Sequence, residues 1–365
     1  MKAFPLMRGY DTINVRADLE PMAAMRDAEL GERIRAFPKM LPGGSPDFAV
    51  AEQVGDEWRL LCSGANDPAS ARIDLASKLR CSAEPESEAE ADVEPEAESE
   101  AESEADPAPF LPDGVEGVTG VRREVDPGTA RAMLAAAGRL DPEEGEPLAK
   151  DEWEIGDRRY RIVRIEKFVL INSDGMEPPR SSDAEPPDEV SLLAGHPIDP
   201  GAPAGFWEAQ MRLNLVGFGP LSGSVPEQVE AEARLASRTH PGVVMLPPTF
   251  SIVEVTAEGA WKPLTGGHGP DSAKERLSGH FVQLLPMLRE FQGEPASEDE
   301  LADWASAAKE IDAEPGPEWK LTIGGEPRRF RIVRIGRMLR VGPDGPEAPR
   351  PSDQDRYGIR PPREA

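Results

Sequence analysis

The chain has 365 residues and a formal net charge of -27, with 68 Asp and Glu against 41 Lys and Arg. At roughly 150 residues per domain this length suggests about two domains, and only two cysteines exclude a disulfide scaffold or a cysteine-rich zinc module. Because the sequence has neither an apolar run of ~18 residues nor a signal-peptide pattern after Met1, we expect a soluble cytoplasmic protein that does not enter a membrane.

Apolar periodicity and breaker residues predict mixed helices and strands in the first part of the chain. The expected elements are a helix over 21–37, a strand over 48–53, a strand from Trp58, a helix that opens at Asp67, a helix over 127–140 with Asp126 as N-cap, and the strand pair 153–156 and 160–168. Short connections without strict βαβ alternation favour hairpins, so we predict an α+β fold with antiparallel sheets.

An acidic tract separates two of these elements. From Glu84 to Asp106 every even-numbered position is acidic and no Lys or Arg occurs, so these residues carry 12 of the negative charges. A strand would place like charges side by side, and no apolar face is present to offset the entropy of ordering. We predict that residues 83–109 form a disordered insertion, either a solvating surface segment or an electrostatic tail that binds a basic surface.

The later part of the chain repeats the earlier part. Tyr160-Arg-Ile-Val-Arg-Ile165 returns as Phe330-Arg-Ile-Val-Arg-Ile335, 170 residues further on. Other matches are Met40-Leu41-Pro42 with Met245-Leu246-Pro247, Phe48 with Phe250, Trp58 with Trp261, Trp153 with Trp319, Asp174-Gly175 with Asp344-Gly345, Glu177 with Glu347, Arg180 with Arg350, and Asp183 with Asp353. The offset falls from 202 near Phe48 to 170 at Tyr160, which makes the acidic tract an insertion in one copy.

These matches predict two tandem duplicated units, each with antiparallel hairpins and about three helices. We place segment 1 at 14–185, including the acidic insertion, a Pro/Gly-rich linker at 186–204, segment 2 at 205–355, and a tail at 356–365. In segment 2 the expected elements are a helix over 226–238, a strand over 250–255, a strand from Trp261, a helix that opens at Asp271, a helix over 298–311 capped by Ser297 with Glu300, and strands over 319–324 and 330–339. The four tryptophans at matched positions are expected in the core.

Four motifs carry a resemblance to a known family. They are Phe48-x-Val-Ala-Glu-Gln53, Trp58-Arg-Leu-Leu-Cys62, Tyr160-Arg-Ile-Val-Arg164 and Asp174-Gly-Met-Glu-Pro-Pro-Arg180. They resemble an actinobacterial family known only as a domain of unknown function, and the resemblance covers most of the chain outside the acidic tract. It implies no reaction, cofactor or partner, so no site residue is transferred from it.

Residue patterns typical of catalysis or metal binding are missing from the sequence. The histidines at 196, 240, 268 and 280 have no metal-binding spacing, and Cys62 is expected as a core thiol. Thr265–Pro270 superficially resembles a phosphate cradle, but no Gly-Lys-Ser/Thr follows, so we interpret it as a hairpin-to-helix loop. We therefore predict no catalytic, cofactor-binding or metal-binding residue and no cofactor.

Arginines on the repeated strands are the most informative polar feature. Our interpretation is that they cover sheet edges or pair with the abundant acids. As candidates for an interaction site we select Arg164, Arg180, Arg334 and Arg350. Arg180 and Arg350 lie beside prolines, and we expect them to pair with Asp183 and Asp353 or with a ligand carboxylate.

Three functions remain open, and we favour the first. It is a non-catalytic soluble interaction protein with a protein partner. The second is an electrostatic regulator, in which the acidic tract competes with a polyanion for the arginine-rich strands; the net charge of -27 opposes nucleic-acid binding through long-range repulsion. The third is an enzyme or small-molecule binder with a site in the cleft between the segments. The sequence leaves the oligomeric state open.

Overall fold

The structure is a computed structural model that describes residues 13–62, 64–83, 125–143, 145–183, 195–256 and 259–353. Apart from Ala83, the predicted disordered insertion lies outside the described residues, as do the predicted tail and the first part of the predicted linker. The chain divides into two compact units, a larger body within 1–74 and 149–365 and a smaller unit within 75–148.

Helices and strands are mixed along the chain, as the sequence predicts. The strands are β1 (Asn14–Val15), β2 (Lys39–Pro42), β3 (Asp47–Val54), β4 (Glu57–Leu60), β5 (Glu152–Ile155), β6 (Arg158–Asn172), β7 (Gly175–Met176), β8 (Pro203–Ala204), β9 (Gly242–Val255), β10 (Trp261–Gly267), β11 (Glu318–Ile323), β12 (Glu326–Gly342) and β13 (Gly345–Pro346). The helices are α1 (Pro21–Ala36), α2 (Pro68–Ala83), α3 (Pro127–Leu140), α4 (Phe206–Val216), α5 (Glu227–Thr239), α6 (Pro270–Gly279), α7 (Leu285–Phe291) and α8 (Glu298–Ala313). A π-helical turn, His280–Leu284, joins α6 to α7.

One large antiparallel sheet organises the larger body. Its main path runs β10-β9-β12-β6-β3-β4, and shorter strands pair with the two long central strands β6 and β12. Where β6 and β12 meet, Lys167 lies opposite Arg337 and Ile165 lies opposite Leu339. Lys167 and Arg337 are the same position in the two predicted copies, so the central pair of the sheet joins equivalent points of segments 1 and 2.

The strand register corrects one predicted match between the segments. Met40 lies opposite Leu170 on β6, whereas Val243 lies opposite Arg340 on β12. Met40 therefore corresponds to Val243 and not to Met245, a difference of two residues from the sequence match. The cause is local: β2 and β3 are separated by residues 43–46, whereas β9 continues through the same region with only an irregularity in its pairing.

Helices cover one face of this sheet. In segment 2, Trp304 and Ile311 of α8 pack in one cluster with Phe330 and Ile332 of β12. In a neighbouring cluster, residues of α1 and α4 pack on Phe168. Alternate residues of β6 and β12 point to the opposite face and form two further apolar clusters. Each large apolar side chain buried in this way stabilises the fold by about 1.5–3 kcal/mol.

The two edges of the main path end differently. The outer edge of β4 pairs with residues from the predicted linker: Leu60 donates its N–H to the carbonyl of His196 (2.9 Å), and Ile198 donates to the carbonyl of Trp58 (2.8 Å). On β10, Pro263 stands two residues after Trp261, as Leu60 stands two residues after Trp58. Proline has no N–H to donate, a common protection of an edge strand against further pairing.

The smaller unit contains the end of α2 and all of α3. The Asp126 side chain accepts hydrogen bonds from Gly128 (2.9 Å) and Thr129 (3.1 Å), which confirms its predicted role as N-cap. Met133 and Leu140 of α3 are buried. Arg80 of α2 binds the side chain of Asp141, the residue after α3, at 2.8 Å.

Helix α4 was not predicted from the sequence, and its N-terminus explains why. It follows Gly205, which has no side chain to cap the free N–H groups. Asp27 of α1 takes this role, because its carboxylate accepts from the N–H of Glu208 at 2.8 Å. A cap from a residue so distant in sequence leaves no local signal. The π-helical turn and α7 were also missed.

The structure confirms most of the expected core tryptophans. Trp58, Trp153 and Trp319 are buried, whereas Trp261 is half-buried. Cys62 is buried as expected, and its sulfur accepts a hydrogen bond from the N–H of Val50.

Gly336 provides a test of the contact between β6 and β12. A Cβ at this position would lie 2.4 Å from the Phe168 ring, and that ring is buried among α1 and α4. We expect Gly336→Ala to lower the free energy of unfolding by about 1–3 kcal/mol through overpacking, measured by urea denaturation. Gly217→Ala, where a Cβ would meet nothing within 4 Å, is the control and should change stability by less than about 0.5 kcal/mol. Equal values for both variants would contradict the packing described.

Candidate functional site

Each long central strand ends in a tight turn that contains Asp and Gly. Gly175 has a φ of 126° and Gly345 a φ of 109°, a backbone conformation that favours glycine. The matched pairs Asp174-Gly175 and Asp344-Gly345 therefore form equivalent turns.

Each turn packs against a tryptophan of the other segment. The Trp58 ring approaches so closely that a Cβ on Gly345 would lie 2.8 Å from it, and Trp261 covers Gly175 in the same way. An arginine guanidinium also lies over the face of each tryptophan ring. The guanidinium of Arg161 lies 5.3 Å from the centre of the Trp58 ring, within the range of a cation–π interaction.

The arginines also bind the turns directly. Arg161 donates to the carbonyl of Asp344 at 3.1 Å, and Arg331 donates to the carbonyl of Asp174 at 3.1 Å. Arg161 further binds the Asp344 carboxylate at 2.7 Å. Segment 1 therefore holds the turn of segment 2, and segment 2 holds the turn of segment 1.

Beyond the turns lie the predicted candidates Arg180 and Arg350. Their backbone N–H groups donate to Asp183 and Asp353, each at 2.8 Å. Their guanidinium groups, however, bind Glu177 at 2.7 Å and Glu347 at 2.6 Å. The predicted partners are correct only for the backbone, because the glutamate three residues earlier lies beside each guanidinium.

The two aspartates bind the other pair of candidates, across the segments. Arg164 of segment 1 donates to Asp353 of segment 2 at 2.9 Å. Arg334 of segment 2 donates to Asp183 of segment 1 at 3.0 Å. We call these two contacts the crossed ion pairs. Their side chains are between 6% and 11% exposed, so both pairs are largely removed from water.

The four candidates thus form two separate clusters. Arg180 and Arg334 share one cluster, and Arg164 and Arg350 share the other, where Glu166 accepts from Arg164 at 2.7 Å and from Arg350 at 2.6 Å. Burial alone would raise the pKa of Glu166, but the neighbouring arginines hold it below its usual range. Each candidate guanidinium is therefore already bound to carboxylates of the chain.

One of the clusters contains an additional pair. Arg340 binds Glu166 at 3.2 Å and donates to the carbonyls of Val216 and Phe218 at the end of α4. At the matching positions the other cluster has Gly336 and Leu170. The second cluster therefore lacks both this cation and this anion, so that both clusters are balanced in charge, and Arg340 caps the C-terminus of α4.

The outer arginines of the strands are paired as well, as our interpretation of the sequence predicts. Their hydrogen bonds, between 2.6 and 3.0 Å, are Arg59 with Glu52, Arg158 with Glu52, Arg159 with Glu152, Arg328 with Glu254 and Arg329 with Glu318. The arginine-rich strands are therefore largely neutralised by their neighbours.

An open groove of about 740 Å³ lies beside Trp58. Most of its lining comes from three parts of the chain: the β3–β4 hairpin over 53–59, residues 195–200, and the turn of segment 2 over 341–345. Arg159 of β6 also lines it. Its charged lining residues are the carboxylates Asp56, Glu57, Asp199 and Asp344 and the guanidinium groups of Arg59 and Arg159. The carboxylates outnumber the cations, so the groove is acidic.

The sequence analysis kept a site in the cleft between the segments as one alternative, but it did not identify the residues that line this groove. One of its walls belongs to the predicted linker, which gives no binding signal in its Pro/Gly-rich sequence.

Metal and membrane features are absent from the part of the chain that the structure describes. Within those residues, no group of three or more His, Cys, Asp or Glu side chains is arranged to hold a metal ion. No described helix is both long and apolar enough to cross a membrane.

Comparison with known proteins finds one family. The sequence profile of a family of unknown function, DUF5954, matches residues 20–107 and 119–356. No curated protein and no solved structure shows significant similarity to the chain. The match covers most of the chain and confirms the resemblance to a family of unknown function.

Glu318 provides a pH-dependent test of the arginine pairing. Hydrogen bonds from Arg329, opposed by burial and reinforced by Arg331, hold the pKa of Glu318 at about 2. Because this pKa is depressed, its contribution is present above about pH 4.5 and is lost as the pH falls toward 2. We expect Glu318→Gln to cost roughly 1–3 kcal/mol at pH 7 and to flatten the acid side of the stability curve, measured by urea denaturation. Glu310→Gln, on the exposed face of α8, should leave the curve unchanged; a similar effect of both substitutions would contradict the assignment.

Proposed function

The chain belongs to the DUF5954 family, and we propose that it acts by binding a protein partner in the acidic groove beside Trp58 rather than by catalysing a reaction. The observation that carries the proposal is the composition of the groove. Its walls come from both segments and from residues 195–200, so it is not simply a repeated feature of the fold. By contrast, the charged side chains between the segments are bound to one another.

We also propose that the chain arose from a tandem duplication, with segments at 14–185 and 205–355 joined by a linker at 186–204. The reciprocal contacts support this origin. Arg164 donates its N–H to the carbonyl of Glu347 at 2.9 Å, and Arg334 donates to the carbonyl of Glu177 at 2.8 Å. Such matched contacts are expected if two copies of one unit face each other across a two-fold axis.

The charge of the groove indicates the chemistry of the partner. Asp56 and Glu57 are exposed on the β3–β4 turn, and Asp199 is exposed on the facing wall. A segment rich in Lys or Arg complements these carboxylates. The net charge of -27 adds long-range attraction for a basic partner. We therefore propose an extended basic segment of another protein as the occupant.

The electrostatic regulator receives less support. It requires a basic surface on the sheet, and most of the strand arginines bind carboxylates of the chain. A small-molecule binder remains the second candidate, because a volume of about 740 Å³ lies in the range of roughly 300–1,000 Å³ typical of ligand pockets.

A cytoplasmic location is also part of the proposal. Cys62 and Cys81 do not form a disulfide with each other, as is usual in reducing compartments.

Charge-neutralising variants test the groove. The probe is a fluorescein-labelled eight-residue peptide of alternating Arg and Gly, and fluorescence anisotropy measures its Kd at two salt concentrations. The groove variant is Asp56→Asn, Glu57→Gln and Asp199→Asn together. We expect it to weaken binding roughly tenfold, since three exposed charges contribute about 0.5 kcal/mol each.

A variant with the same net charge controls for general attraction to an acidic protein. Glu275→Gln, Glu290→Gln and Glu310→Gln remove three exposed carboxylates from helices and should change the Kd less than about twofold. Equal weakening by both triple variants would reject the groove as the binding site.

A further inference from the structure

The centre of the sheet contains an unusual pair of like charges. Lys167 of β6 and Arg337 of β12 lie directly opposite each other, so their side chains point to the same face. Opposed residues in an antiparallel pair have Cβ atoms about 4.5–5.5 Å apart, and like charges there are destabilising. Apolar clusters that include Ile165 and Ile335 lie on the same face, which adds to the cost of the two cations.

Among the described residues, only one of these cations has a carboxylate partner. Lys167 donates to Asp47 at 2.6 Å, and Asp47 lies opposite Ile165 on the neighbouring strand. The matching position in segment 2 lies opposite Ile335 and is occupied by Thr249. Segment 2 therefore retains the cation as Arg337 but lacks the carboxylate that its counterpart uses.

The environment of Arg337 leaves it charged and incompletely bound. The side chain is 1% exposed, and its Nε donates to the carbonyl of Pro247 at 2.7 Å. Nη2 has no hydrogen-bond partner among the described residues. Burial lowers the pKa of Arg337 to about 10, although Asp47 opposes the change, so the group is still ionised at pH 7.

Among the described residues, the other titratable groups that act on Arg337 do not balance its charge. Burial, followed by the charge of Arg337, lowers the pKa of His196, so this ring is neutral at pH 7. Asp47 is already bound to Lys167. Asp47 is thus the one carboxylate described beside two cations, whereas the clusters at the crossed ion pairs contain equal numbers of cations and anions. An uncompensated buried charge costs several kcal/mol.

We propose that Nη2 of Arg337, together with Lys167, binds a small monovalent anion, with chloride as the physiological ligand. The near-complete burial of Arg337 restricts the site to a small anion. The side chains of Lys167 and Asp47 are 19% and 16% exposed, which places the site near the surface and gives the ion a route to it. This site is separate from the groove and does not depend on the function proposed for it.

The missing carboxylate provides the test. Thr249→Asp places a carboxylate at the position that Asp47 occupies in segment 1 and should displace the ion. Thr249→Asn has a similar size without the charge and should leave the site intact. Chloride binding is observed directly through the ³⁵Cl NMR linewidth, with sodium gluconate replacing sodium chloride at constant ionic strength.

We expect the wild-type protein and Thr249→Asn to broaden the ³⁵Cl signal and Thr249→Asp to lose that broadening. Thermal unfolding gives a second readout. The wild-type Tm should be roughly 2 °C or more higher in chloride than in gluconate, and Thr249→Asp should lose this difference while it raises the Tm in gluconate. An absence of broadening in the wild-type protein, or unchanged broadening in Thr249→Asp, would overturn the proposal.

Discussion

The crossed ion pairs are the constraint on which the rest of the larger body depends. Arg164 reaches Asp353 and Arg334 reaches Asp183, each from the other segment. Removing such groups from water is expensive, and the cost is recovered only if each group is fully bonded. The aspartates also accept N–H groups of their own turns, so a shift of β12 along β6 would leave buried charges without partners. The ion pairs therefore fix the register of the two central strands, and the register places each tryptophan over the opposite turn.

The differences between the segments are as informative as their agreement. Where the segments differ by a pair of opposite charges, as with Glu166 and Arg340 against Gly336 and Leu170, the cluster is balanced in charge and also caps α4. Where Asp47 of segment 1 is matched by Thr249 of segment 2, Nη2 of the buried Arg337 has no hydrogen-bond partner among the described residues. The groove is a third difference, because residues 195–200 cover the edge of β4. We therefore expect ligands and partners to bind at positions where the two segments differ.

Sequence reasoning was reliable where the signal is local. The Asp126 cap and the capping box of Ser297 with Glu300 were predicted and are present, because each motif lies within four residues. The pairing of strand arginines with acids was also predicted. The crossed aspartates were not predicted as partners of Arg164 and Arg334, because they meet these guanidinium groups only through the fold. Glu177 and Glu347 were missed although each lies only three residues before the arginine that it binds.

The missed features share a long-range cause. Helix α4 depends on Asp27 of a remote helix, and the residues that line the groove are far apart in sequence. The match of Met40 with Met245 was wrong by two residues, because similar residues flank a loop whose length differs between the segments. Only the strand register reveals this difference.

A pair of double-mutant cycles tests most directly whether the crossed ion pairs join the two segments. One cycle combines Arg164→Met with Asp353→Asn, and the other combines Arg334→Met with Asp183→Asn, with the free energy of unfolding measured by urea denaturation. We predict that each single substitution costs about 3–5 kcal/mol, because it leaves a buried charge in its cluster uncompensated. Each double variant should cost at least about 1 kcal/mol less than the two single costs together. Additivity within about 0.5 kcal/mol in both cycles would contradict the account.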